Sequence, residues 1–237
     1  MFDPGSFRIF ERLAERYDSW YDRPENVPLF ESELACVQRM LRGFPRPWIE
    51  VGVGSGRFAE GLEIDLGIDP ALAPLRLARR RGVEVIRARA ESLPLGGSSV
   101  GAVVMVVTMC FLDDPKRALR EASRVLKPGG GLVLGLVLRE SPWGRFYLSK
   151  KEEGHPFYRA ARFFSSDELI RLVRESGLKP VGWSSTISRP PGDGPYVFEE
   201  PTPGLDLEKG FHCLAAVKPP GESSEGRDGP DSGLSPR

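Results

Sequence analysis

The chain has 237 residues, 40% of them hydrophobic and 28% charged, with 33 basic side chains against 33 acidic ones. That length buries one sizeable core, and the composition is that of an ordinary globular protein. The even charge balance withholds the main source of affinity for nucleic acid, and three scattered cysteines with two histidines support neither a disulfide framework nor a zinc site.

Met1 to Ile9 lack the basic and apolar regions of a secretory signal. The longest apolar run, Val100 to Leu112, falls short of the roughly 20 residues that span a bilayer. A reducing cytoplasm is therefore the expected compartment. Phe7, Phe10, Leu13, Ala14, Tyr17, Trp20 and Tyr21 recur at three- and four-residue steps, the spacing of one helix face. That stripe either packs on the body of the fold or forms part of a lid over a ligand. A second amphipathic helix carries Phe30, Leu34, Val37 and Leu41, and Gly43 with two nearby prolines ends it. Residues 1–46 are thus expected to form an N-terminal helical lid.

Trp48-Ile49-Glu50-Val51 is the first strand, and Gly52, Gly54 and Gly56 follow at alternate positions. Glycines so spaced let the chain reverse sharply and bring backbone N–H groups close to a ligand. A short helix from Arg57 to Leu62 leads to a second strand, Ile64 to Ile68, which ends at Asp69. A glycine turn with a carboxylate about 20 residues downstream is how an α/β fold holds an adenosine ribose. Pro74 sets the start of the next helix near Ala73, with the proline at its first position, and leaves the Asp69 side chain free. Arg79, Arg80 and Arg81 suit the C-terminus of that helix and solvent. Val83 to Ala88 is the third strand.

Val100 to Val107 reads as a strand covered on both faces. Asp114-Pro115 opens a helix as N-cap and first residue; Ala118, Leu119, Ala122, Val125 and Leu126 form its buried face, and Gly129-Gly130 stop it. Leu132 to Leu138 is the fifth strand. Strands alternating with helices predict a parallel sheet wound on both sides, a doubly wound α/β fold. Between Arg139 and Arg162 the periodicity fails while Trp143, Phe146, Tyr147, His155, Phe157 and Tyr158 accumulate, as in a substrate cover or a loop with anchoring rings. Ser165 and Glu168 form a capping box, with Gly177 just past the helix end. Lys179 to Ile187 and Phe211 to Val217 close the sheet across the Pro/Gly-rich Arg189 to Gly204. The expected organisation is one domain over residues 1–218, with 139–162 as an inserted cover and 219–237 as a disordered tail.

A dehydrogenase fingerprint is formally present as Gly54-Ser55-Gly56-Arg57-Phe58-Ala59, which keeps a nicotinamide-dependent oxidoreductase open. Three features point elsewhere. Glu50 closes the first strand, where a negative charge serves a pyrophosphate poorly but favours a sulfonium cofactor bearing an ammonium group. The glycines extend one step toward the strand, as Glu50-x-Gly52-x-Gly54-x-Gly56. Downstream stands Arg124-Val125-Leu126-Lys127-Pro128-Gly129-Gly130-Gly131-Leu132. Together these resemble class I S-adenosylmethionine-dependent methyltransferases, in the small-molecule branch similar to the ubiquinone and menaquinone biosynthesis enzymes, over roughly Tyr17 to Leu138.

The resemblance implies a Rossmann-like sheet of seven strands, mostly parallel with an antiparallel last strand. S-adenosylmethionine would lie across the carboxyl ends of the first two strands, and its methyl would pass in line to a small-molecule nucleophile. By position, Glu50, Gly52, Gly54 and Gly56 would line the methionine and ribose side, and Asp69 would take the ribose hydroxyls. Ala90 and Glu91, within Arg89 to Leu95, match the segment that contacts adenine, and the chain near Val106 would pass beneath the methionine moiety. Two positions depart from the family. Arg89 stands where an acidic residue usually bonds the adenine amino group, and Gly101 stands where Asp usually begins the fourth strand. The first bears on the adenine contact and the second on structure more than chemistry. Both leave room for a cofactor-binding homologue without turnover that acts as a partner or regulatory subunit.

An amine or phenol acceptor would also need its proton removed. His155 has suitable intrinsic acidity in the right region, against the plainer role of a surface histidine before Pro156. Tyr17, Tyr21 and Tyr147 are candidates to orient the acceptor. Cys110 lies near where the family contacts substrate, or serves as a small packing residue. No residue pattern specifies a metal, and neither aromatic segment carries a recognisable acceptor code.

Overall fold

In the computed structural model, which describes residues 7–192 and 194–220, the apolar runs assemble into one sheet. The expected tail from 221 onward and the first six residues of the expected lid lie outside the described residues. Strands β1 (Trp48–Val51), β2 (Leu66–Asp69), β3 (Val85–Arg87), β4 (Val100–Val106), β5 (Leu126–Leu136), β6 (Lys179–Thr186), β7 (Thr202–Pro203) and β8 (Phe211–Val217) are ordered β3-β2-β1-β4-β5-β8-β6-β7. The first five pair in parallel, and β8 runs antiparallel to both β5 and β6. Among the described residues the sheet therefore has eight strands rather than seven. The additional one is the two-residue β7, which forms inside the Pro/Gly-rich connection and pairs with Ser184 and Ser185.

Among the described residues seven α-helices flank it: α1 (Arg8–Asp18), α2 (Val27–Leu41), α3 (Arg57–Gly61), α4 (Leu72–Arg80), α5 (Pro115–Val125), α6 (Pro142–Glu152) and α7 (Ser166–Glu175). Each face of the sheet buries its own apolar cluster. Val103 and Met105 of β4 join Leu119 of α5 and Leu169 of α7, while Val104 and Val106 join Val37 of α2 and Leu75 of α4. A strand buried on both faces has no polar alternate positions, which is why β4 reads as a continuous apolar run.

Three local expectations are corrected. The Gly129-Gly130 pair does not stop α5; that helix ends at Val125, and β5 begins at Leu126, paired with Val100. The glycines sit inside the strand where the β4–β5 register shifts, a bulge that spares side chains. Helix α4 begins at Leu72 with Ala71 as its cap, so Pro74 lies within the first turn instead of opening it. That turn has N–H groups without intrahelical partners, so the missing donor is harmless. The free N–H groups of Leu72 and Ala73 donate to Glu11 Oε2 at 2.6 and 3.2 Å, docking α1 on α4. The aperiodic 139–162 stretch contains helix α6, capped by Ser141 Oγ, which accepts from the Gly144 N–H at 3.0 Å. A 3-10 turn at Tyr158–Ala160 follows it.

The capping box is present: the Ser165 hydroxyl accepts from the Glu168 N–H and the Glu168 carboxylate accepts from the Ser165 N–H. Gly101 also finds its reason here. A Cβ built on it would lie 1.7 Å from the Pro45 carbonyl oxygen, so the chain crossing under β4 leaves no room for any side chain. Among the described residues no helix is long and apolar enough to cross a membrane.

Candidate active site

Strands β1, β2 and β4 end side by side, and their carboxyl ends open into one cavity with about 930 Å³ of non-atom space, its mouth included. This is the position at which doubly wound sheets bind their ligands. The turn after β1 forms its floor. Gly52 has φ +80°, and a Cβ there would stand 2.2 Å from Thr108 Oγ1, so only glycine lets the turn pass this close to the end of β4. At Gly54 (φ +54°) nothing lies within 4 Å of the Cβ direction, leaving bare backbone on the cavity side. Gly56 caps α3.

Two carboxylates sit on this floor. Glu50 is 2% exposed, and its Oε2 has no hydrogen-bond partner among the described residues. Burial, reinforced by the nearby Asp69 charge, raises its pKa well above the ordinary carboxylate range. Asp69 is not free as its sequence context suggests: Oδ1 accepts from the Ala71 N–H at 2.8 Å and Oδ2 from the Gly54 N–H at 3.1 Å. Burial pushes it up to about 6 although both amide bonds pull it down. The two amides fix the carboxylate at the cavity wall and leave each oxygen with capacity to accept again.

A smaller cavity adjoins the first, sharing Gly52, Pro70 and Thr108, and Ala90 and Glu91 line it. Glu91 Oε1 accepts from the Asp114 N–H at 3.3 Å. The Arg89 guanidinium is held by the Asp113 carboxylate and lies 3.4 Å from Glu91. The cation that departs from the family pattern is thus matched by two carboxylates beside it. Val106 forms part of the first cavity's wall, as do Phe7, Phe10, Tyr17 and Tyr21 from the α1 stripe. The stripe both packs ring on ring and lines the cavity. Phe10 meets Phe111 edge-on with 4.8 Å between ring centres, and Tyr17 at 5.4 Å.

Residues that sequence reasoning passed over hold this cover in place. Asp18 Oδ1 accepts from Ser55 Oγ and Arg57 Nε, both at 2.6 Å, and Oδ2 accepts from Arg81 at 2.9 Å. Arg81 also donates to the Ser55 carbonyl at 2.7 Å, so it is more than a solvated charge at a helix end. An acidic residue on the apolar side of α1 was the available signal.

A third, apolar cavity lies between Cys110, Tyr147, Tyr158 and Phe163 and shares Val107 and Phe111 with the first. Val107 sits at φ +51°, a strained conformation for a β-branched residue, at the partition between the two spaces. Cys110 donates its thiol to the Val107 carbonyl, and burial pushes it up to about 12, as befits a packing residue. The two catalytic candidates separate here. Tyr17 is on the wall of the first cavity, whereas His155 stacks on Tyr158 with ring centres 4.7 Å apart and lines neither of the two spaces. Burial, then the charges of Arg16 and Lys150, lower the His155 pKa. No group of His, Cys, Asp or Glu among the described residues is arranged to hold a metal ion.

A family profile described as a methyltransferase domain matches residues 49–134. An uncharacterised protein of Mycobacterium tuberculosis is 40% identical over 206 residues, covering 87% of this chain and 72% of that one. The crystal structure of a Thermotoga maritima SAM-dependent methyltransferase, described as a possible histamine N-methyltransferase, superposes with a TM-score of 0.83 at 39% identity, over 90% of this chain and 99% of that one. The demethylmenaquinone methyltransferase of the same organism is 26% identical over 73% of this chain and 88% of its own.

Proposed function

This chain belongs to the SAM-dependent methyltransferases, and we propose that it transfers a methyl group to an N, O or C nucleophile on a small molecule. The observation that carries the cofactor assignment is Glu50: a deeply buried carboxylate, at the floor of an open cavity, whose Oε2 has no hydrogen-bond partner among the described residues. The ammonium of the cofactor's methionine portion would supply that partner. Asp69 would use its spare lone pairs on the ribose hydroxyls, over the bare backbone at Gly54. Gly52 and Gly56 shape the turn, Val106 would underlie the methionine portion, and Ala90 with Glu91 would border adenine.

The bound cofactor supplies a methyl on sulfonium, which is already a good electrophile. The protein then has to orient and to exclude water. The α1 rings, with α2 behind them, would act as the lid, and the 139–162 segment would cover the acceptor side. Burial holds the Tyr17 phenol protonated, so it would orient an acceptor as a hydrogen-bond donor. His155 would support Tyr158 from behind. The relatives differ in the acceptors their names carry, so the acceptor class must come from this chain's own cavity.

Calorimetry with S-adenosylhomocysteine tests the cofactor site, and transfer of a tritiated methyl to a metabolite extract tests the reaction. Binding with a labelled small-molecule product is expected. Absence of binding would remove the assignment, and binding without transfer to any acceptor would favour a non-catalytic homologue.

A further inference from the structure

Helices α1 and α4 pack side by side, docked through Glu11 Oε2 on the Leu72 and Ala73 N–H groups. An open groove runs between them, with about 870 Å³ of non-atom space, its open side included. Among the described residues four arginines border it. Arg12 and Arg16 stand on either side of the bend in α1 at Leu13, where φ is −121° and ψ is 23°. Arg76 and Arg80 stand one turn apart on α4. All four are exposed, and no guanidinium among them forms an ion pair or a hydrogen bond with another described residue.

The carboxylates that could neutralise them are engaged elsewhere. Asp18 serves Arg57 and Arg81, Asp22 serves Arg57, and Glu60 faces Arg81. Of the acids bordering the groove, Glu11 is spent on the α4 amides, and Glu15 forms no ion pair with any of the four arginines. The groove therefore carries two more positive side chains than negative ones, in a chain whose totals balance. Like charges gathered at one cleft repel each other and concentrate a positive potential there. Guanidinium groups take phosphoryl oxygens two at a time, with a geometry that an ammonium lacks. One phosphoryl group carries too little charge for two such pairs, whereas two linked ones offer a partner to each helix. The even charge balance of the whole chain favours a compact anion over a long nucleic acid.

We propose that the groove between α1 and α4 binds a diphosphate group, free or carried on a larger molecule, held by Arg12 and Arg16 from one side and by Arg76 and Arg80 from the other. The site is separate from the cofactor cavity and does not rest on the methyltransferase reading. Ala14 borders both spaces, so α1 is the wall between them, and none of the four arginines borders the cavity. A diphosphate seated in the groove ties α1 to α4 from the solvent side, beside the link that Glu11 makes. It binds only where the two helices are packed together, and so it stabilises the folded chain.

Calorimetric titration of the full chain with inorganic pyrophosphate, uridine diphosphate and inorganic phosphate tests the site, in wild type and three double variants. Arg12→Gln/Arg16→Gln and Arg76→Gln/Arg80→Gln each strip one wall of the groove. Arg39→Gln/Arg120→Gln removes two charges from α2 and α5 that are equally exposed and without an ion pair. We expect one pyrophosphate per chain, bound about tenfold or more tighter than phosphate. Each groove variant should weaken pyrophosphate about tenfold or more, and the α2/α5 variant less than about twofold. Uridine diphosphate bound as tightly as pyrophosphate or tighter would assign a diphosphate ester, and weaker binding the free anion; both support the site. No pyrophosphate binding to wild type, equal losses in all three variants, or undiminished binding in either groove variant would each overturn the proposal.

Discussion

Asp18, the last residue of α1, accepts the Ser55 hydroxyl at 2.6 Å and so ties the aromatic cover to the glycine turn beneath the cavity. Burial works against the ionised carboxylate, but the bonds from Arg57, Arg81 and Ser55 outweigh it and hold the pKa below its ordinary value. Arg81 closes the triangle through the Ser55 carbonyl. One carboxylate thereby links α1, the turn before α3, and the end of α4. The aromatic segment and the floor thus share one ionised carboxylate.

Replacing Asp18 with Asn keeps the size and removes the charge, leaving Arg57 to Asp22, and Arg81 to Glu60 and the Ser55 carbonyl. Stability should fall by about 1–3 kcal/mol, the range for lost hydrogen bonds to a charged group. S-adenosylhomocysteine affinity should drop about tenfold, and trypsin should cut more readily after Arg12 and Arg16. Unchanged affinity and unchanged cleavage would show that the cover is not coupled to the floor.

Glu50 and Asp69 should separate by ligand. Adenosine carries the ribose hydroxyls without the ammonium, so Glu50→Gln should leave its affinity unaltered while weakening S-adenosylhomocysteine by about 10- to 100-fold. Asp69→Ala should weaken both. If Glu50→Gln bound both ligands as wild type does, the ammonium would have to be held elsewhere.

Restoring the family's usual acid at position 101 should harm this protein. The Cβ of Gly101→Asp would lie 1.7 Å from the Pro45 carbonyl, so the chain under β4 must shift. A loss of roughly 3 kcal/mol or more is expected from overpacking and a buried charge, and Gly101→Ala should show much of it. The midpoint of urea unfolding measures both. A loss under about 0.5 kcal/mol for the alanine variant would mean that the Pro45 segment yields freely.

The buried carboxyls set a pH dependence with a definite sign. Glu33 and Asp69 have folded pKa values raised to about 8 and about 6, and Glu50 is raised well above its ordinary value. Each binds its proton more tightly folded than unfolded. Their contribution is present below the unfolded pKa and is lost as pH rises through the window up to the folded value. Ligand-free protein should therefore lose stability between about pH 4.5 and 8, by up to about 1.4 kcal/mol per pH unit per group. Asp18 acts oppositely: its depressed pKa gives stability above its unfolded value that is lost on acidification. Urea unfolding at pH 5.5, 7 and 8.5 should show the decline, and Glu33→Gln should flatten it. A stability that climbs steadily to pH 8.5 would contradict the assignment.

Chain-local features were readable from residue order alone. The β4 run, the Ser165–Glu168 capping box, the Asp114-Pro115 helix start and the Glu50-to-Gly56 turn all arise from neighbours within a few positions, where periodicity and backbone preference act. So did the family, because its motif is itself a short stretch. The bulge at Gly129-Gly130, the place of Gly101 under Pro45, and the strand at Thr202–Pro203 depend on partners far along the chain. The same holds for chemistry. Asp18, Arg81 and Glu33 look like ordinary charges on amphipathic helices until folding removes their water and selects their neighbours. A side chain's identity fixes what it can donate or accept. Burial and the groups packed around it, some of them more than 60 positions away in sequence as Arg81 is from Asp18, set which of those capacities it keeps.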